Sequence, residues 1–129
     1  MTDQPVRVPE PPGSAESRQL CSALTGSLPQ RLGELAARKV DGNSQVSAAW
    51  GDPSVTLQCG LIAAPAPVGQ VVTLDGVDWA LVKDKHGVTW TTIGRRVTVR
   101  VRVPSAYDDQ APLLAQLSPI VIRTVPKSP

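Results

Sequence analysis

Residues 96–103 alternate without a break. Val97, Val99, Val101 and Val103 fall on one parity, and Arg96, Thr98, Arg100 and Arg102 on the other. Successive side chains of a strand leave on opposite faces, so this segment reads as a strand with a valine face and a basic face. A helix would interleave the two sets, because it turns by about 100° per residue. The chain therefore has to build a sheet with one packed and one solvated face.

The core behind that sheet has few bulky pieces to use. The 129 residues include no Phe and one Tyr, so Val, Leu and Ala fill most of the volume, with Trp50, Trp79 and Trp90 as the large side chains. Such a length supports one domain, and valine-rich, aromatic-poor segments favour sheet over a helix bundle. A net charge of +2 argues against a dedicated nucleic-acid binder, which carries a larger basic excess. No apolar run is long enough to span a bilayer as a helix.

The amino-terminal residues 1–13 hold Pro5, Pro9, Pro11 and Pro12 and predict a disordered, solvated arm. A single globular domain is expected over 14–126, followed by a tail at 127–129. Ser14 predicts an N-cap, with Glu16 in the first turn and Leu20, Cys21, Leu24 and Leu28 on one side of a helix over about 15–25. A second, weaker helical stretch is expected from Leu28 to Arg38.

After Asp41-Gly42-Asn43-Ser44 the period changes to two. Strands are expected at 46–50 and 54–61, joined through Gly51-Asp52-Pro53. A loop follows over 63–69, then strands at 71–74, 77–82, 88–93 and 95–103, with Asp75-Gly76 and Lys83–Gly87 as turns. Asp108 or Asp109 predicts the cap of a helix to Leu117. Ser118-Pro119 predicts the start of a last one. The expected fold is α+β: an antiparallel meander of about five to six strands, with an N-terminal and a C-terminal helix packed on one face.

Among side chains that carry chemistry, the basic strand face stands out. Arg95, Arg96, Arg100 and Arg102 are the candidate ligand-binding residues, because arginines at period two stand about 7 Å apart and suit successive phosphates or carboxylates. The competing reading is a solvated face paired with Asp78 or Asp84. His86 is the one histidine, and a small hydrolase using it with Asp84 or Asp78 is the alternative function. The sequence contains no nucleophile elbow, phosphate-binding loop or zinc-protease motif. Asp108-Asp109 reads as helix capping, and Trp79 with Trp90 as core. Cys21, Cys59 and His86 are too few and too scattered for a zinc site. The two cysteines form either a disulfide or a pair of buried thiols, Cys59 lying on the core face of its strand.

The ordered segments Ala48-Ala49-Trp50-Gly51-Asp52-Pro53, Gln58-Cys59-Gly60, Gly76-Val77-Asp78-Trp79 and Thr91-Thr92-Ile93-Gly94-Arg95, closed by Leu117-Ser118-Pro119, resemble an actinobacterial family of envelope-associated proteins of unknown function. The resemblance covers residues 19–126. It departs at Gln58, where the family usually has Arg, and near Trp90, where it usually has Phe.

The resemblance implies an extracytoplasmic domain of the cell envelope, secreted or held by an anchor that precedes Met1, with the proline arm as spacer. It further implies an oxidising compartment and hence a Cys21–Cys59 bridge. No activity comes with it. The expectation is a non-catalytic, monomeric module without a cofactor. Its partner would be an envelope component, an anionic ligand, a glycan or a protein, with no nucleic acid and no membrane contact except through the anchor.

Overall fold

The valine–arginine segment is the centre of the molecule. In a computed structural model, which describes residues 4–9, 13–61 and 70–128, it forms β10 (Thr98–Pro104) in the middle of an eight-stranded antiparallel sheet. Before it in the chain come β1 (Val6–Arg7), α1 (Ala15–Gly26), β2 (Arg31–Leu32), β3 (Leu35–Arg38), β4 (Val40–Asp41), β5 (Ser47–Trp50) and β6 (Val55–Leu61). Then follow β7 (Gln70–Leu74), β8 (Val77–Asp84) and β9 (Gly87–Thr92), and α2 (Ala111–Thr124) comes after β10.

The strand order is β2-β3-β5-β6-β10-β9-β8-β7. Two meanders, one from each half of the chain, meet edge to edge where β6 pairs with β10. Val99, Val101 and Val103 are fully buried there, with Val99 opposite Cys59 and Val101 between Leu57 and Trp90. The α+β class and the helices on one face are as expected. The strand number is higher, because the chain before β5 adds a hairpin.

Both helices lie on the valine side: α1 packs on β6, α2 on β7 and β8, and the two touch each other. Ser14 caps α1, accepting a bond from the Ser17 N–H. The Cys21–Cys59 disulfide fastens α1 to β6, and both cysteines are fully buried.

The tryptophans fasten the remaining segments. Trp50 Nε1 donates to the Pro29 carbonyl, Trp79 Nε1 to Ser118 Oγ on α2, and Trp90 Nε1 to Gln110 Oε1 at the α2 start, each at 3.0 Å. Each indole fills core volume and uses its polar edge to hold what covers the sheet. Tyr107 works similarly at the β5–β6 turn, its hydroxyl donating to the Pro53 carbonyl at 2.6 Å.

Three sequence expectations are corrected. The stretch 28–38 is not helical. It is the β2–β3 hairpin, turning at Gly33 with φ 59°, while Ala37 and Arg38 pair with Trp50 and Ala49. Strand pairing and the burial of Leu32 outweigh the helix preference of Leu, Ala and Arg.

The carboxyl end is one helix, not two. Gln110 rather than Asp108 or Asp109 is its N-cap, and Pro119 is accommodated inside it. Leu114, Leu117, Ser118 and Val121 are fully buried along a single helical stripe, so packing carries the helix through the proline.

Finally, residues 4–9 of the expected solvated arm are docked. Val6 donates from its N–H to the Lys39 carbonyl and pairs in parallel with β4. Val8 is only 4% exposed. Extended prolines suit an edge pairing that needs few donors. The loop expected at 63–69 lies outside the described residues.

Candidate functional site

The face of the sheet opposite the helices carries an open groove of about 680 Å³. Arg7, Val8 and Pro9 of the docked arm form one wall. Thr56, Gln58, Thr89, Arg100 and Arg102 form the floor, and Val82 stands at the far rim. Gln58 Nε2 donates to the Pro9 carbonyl at 2.8 Å, holding the arm against the sheet. The Gln58 side chain thus joins arm to floor.

Three guanidinium groups meet here, in different electrostatic states. Arg102 is neutralised. Its Nη1 and Nη2 each lie 2.8 Å from an oxygen of Asp84, and Nη1 also donates to Thr89 Oγ1 at 3.0 Å. Asp84 Oδ1 accepts two further bonds, from the His86 and Gly87 backbone N–H groups. The Arg102 hydrogen bond first, and the turn's N–H groups with it, hold the Asp84 carboxyl well below the usual carboxylate range. The same pairing raises the Arg102 pKa.

Arg100 sits two residues away on the same face, with its Nε buried and without a hydrogen-bond partner. Arg7 is exposed and likewise unpaired among the described residues. One carboxylate for three arginines leaves the groove with an excess of two positive charges among the described side chains.

The other two arginines of the sequence reading are elsewhere. A register shift between Thr98 and Val99 interrupts the ladder, so Val97, Thr98 and Val99 are buried in succession. The alternation that aligned Arg96 with Arg100 is thereby broken. Arg96 turns to Glu16 on α1, Nε to Oε1 at 3.0 Å. Arg95 donates to the Val125 and Gly76 carbonyls, tying the end of α2 to the β7–β8 turn.

His86 is exposed in the β8–β9 turn. The carboxylates assigned to it are engaged with other groups: Asp84 with Arg102 and the turn backbone, Asp78 with the Thr73 hydroxyl. Among the described residues no group of three or more His, Cys, Asp or Glu is placed to hold a metal ion. None of their helices is long and apolar enough to cross a membrane.

Sequence reasoning missed Arg7, Gln58 and Thr89 as groove residues. Thr89 could have been found from the strand pattern, since a hairpin turning at Lys83–Gly87 puts it near Arg102. Arg7 left no such signal, because its place depends on a two-residue pairing formed only in the folded chain.

The chain belongs to the family described as Protein of unknown function (DUF3515), whose family model matches residues 1–129. No curated protein and no solved structure matches it.

Proposed function

We propose that this member of the DUF3515 family is a non-catalytic, extracytoplasmic module of the cell envelope. On this reading it holds an anionic ligand in the groove between its amino-terminal strand and β10. The observation that carries the reading is Arg100, a half-buried guanidinium whose Nε has no partner among the described residues, beside Arg7, which has none there either. A partly desolvated cation without a counter-charge is costly, and a carboxylate or phosphate satisfies it with paired hydrogen bonds.

The groove offers arginines, threonines and a glutamine, a set that binds oxyanions but contains no group titrating near neutrality to serve as acid or base. The disulfide supports an oxidising compartment, hence export to the envelope or beyond.

The test is retention on a phosphate-bearing cation-exchange matrix. Arg100→Glu and Arg7→Glu are compared with Arg123→Glu, which reverses the same charge on the exposed side of α2. The groove variants are expected to elute at clearly lower salt than the α2 variant. Equal elution of all three would remove the groove from the account.

A further inference from the structure

The strand register extends the groove into a surface with a definite chemical gradient. On the open face Arg100 stands opposite Thr91, Thr91 opposite Ala80, and Ala80 opposite Val71. The adjacent row runs Arg102, Thr89, Val82. Directly paired residues share a face, so both rows begin at an arginine on β10 and end at a valine. Val71 is 46% and Val82 52% exposed; with Ile122 they are the most exposed large hydrophobic side chains among the described residues. Beyond those arginines no charged side chain stands in either row, and Asp84, in the next row opposite Gly87, is closed against Arg102.

Resting on the anion-binding reading above, we infer that the ligand is amphiphilic. Its carboxylate or phosphate head lies on Arg100 and Arg7, and an aliphatic chain crosses β9, β8 and β7 over Thr91, Ala80, Val71 and Val82. Neighbouring strands are about 4.8 Å apart, so the path from Arg100 to Val71 is about 14 Å long. Two rows make it about 7 Å wide, roughly 100 Å². That is far below the ~800 Å² each side of a stable protein interface covers, and it matches an extended acyl chain. A sugar is disfavoured by the aromatic residues: Trp50, Trp79 and Trp90 are all buried, leaving no ring on this face for a pyranose to stack upon.

The experiment titrates the full chain, followed by nuclear magnetic resonance, with dodecyl phosphate and dodecanoate below their micelle concentrations. Inorganic phosphate and acetate serve as heads without a chain, and dodecyl maltoside as a chain without an anionic head. An amphiphile is expected to bind at least about tenfold tighter than its bare head, since each methylene removed from water adds to affinity. It should move the Val71, Ala80 and Thr91 amides together with the Arg100 Nε–H resonance. The tighter of the two heads identifies the ligand as a phosphate or a carboxylate.

Val71→Gln and Ala80→Gln, both on the open face and outside the groove lining, should abolish the chain's advantage and leave phosphate binding within about twofold, because they interrupt the apolar path without adding charge near the head. Equal binding of dodecyl phosphate and inorganic phosphate would overturn the amphiphile and leave the anion groove standing. Equal binding of the maltoside would overturn the role of the head. Binding of none of them at Arg100 would overturn both readings.

Discussion

Arg102 lies across Asp84 with two parallel 2.8 Å contacts, while Arg100 on the same strand face has its Nε unsatisfied. The difference follows from strand length and register. Arg102 is opposite Thr89, two pairs before the Asp84–Gly87 pair that closes the β8–β9 hairpin, whereas Arg100 is opposite Thr91, four pairs before it. A turn carboxylate reaches the nearer arginine only. The farther one is left facing the groove.

Replacing Asp84 with Asn should therefore have two effects. Thermal stability should fall at pH 7, because the carboxyl's pKa is depressed in the folded chain and its contribution is fully present above the unfolded value of about 4. As the pH drops below about 4 that contribution is lost, and the melting curves of variant and wild type should converge. The freed Arg102 should also raise the salt needed to elute the protein from a phosphate matrix. Glu34→Gln, which removes the same charge from an exposed turn, should change it less.

Cys21 and Cys59 are 38 residues apart in the chain. Closing a loop of that length is worth about 4 kcal/mol in the chain-entropy account. Urea denaturation of the double Cys→Ser variant should show a loss of about that size, and reductant should destabilise the wild type but leave the variant unaffected. A variant as stable as the oxidised wild type would contradict the bridge.

The Trp79–Ser118 bond joins two fully buried residues. Ser118→Ala leaves the indole N–H without a partner and should cost about 1–3 kcal/mol. In a Trp79→Phe background the same change should cost clearly less, because there is no donor left to orphan. Equal costs in the two backgrounds would show that the bond is not what places α2.

At the β5–β6 turn Gly51 has φ 76°, and a Cβ there would lie 3.0 Å from both Leu35 Cδ2 and Tyr107 Oη. Gly51→Ala should lose about 1–2 kcal/mol from backbone conformation, before any side-chain displacement. Tyr107→Phe should lose about 1 kcal/mol by releasing the Pro53 carbonyl. Burial first, then the Asp52 charge, raises the Tyr107 pKa. Its contribution should be complete below about pH 10 and disappear as the pH rises further, so the alkaline limb of the stability profile should be shallower in the Phe variant.

The sequence was most readable where one periodicity had no competitor. The valine parity of residues 99–103 predicted the buried face of β10, and Ser14 with the leucine spacing predicted α1. It was least readable where pairing with a distant segment decides the structure. Leu35–Arg38 has the composition of a helix and becomes a strand because β5 needs a neighbour. Ser118-Pro119 resembles a helix start and sits mid-helix, because the buried stripe continues past it.

The candidate site was half legible for the same reason. Arg100 and Arg102 follow from local alternation. The dispersal of Arg95 and Arg96 depends on a one-residue register shift, and the presence of Arg7 depends on β1 finding β4. Neither leaves a pattern in the chain.

The central claim is that Arg100 is held ready for an anion. The most direct measurement is its Nε–H resonance during titration of the protein with inorganic phosphate at low salt. The account predicts a saturable shift, weakened in Arg7→Glu and little changed in Arg123→Glu. A resonance that stays put while phosphate is added, or that moves identically in all three proteins, would contradict it.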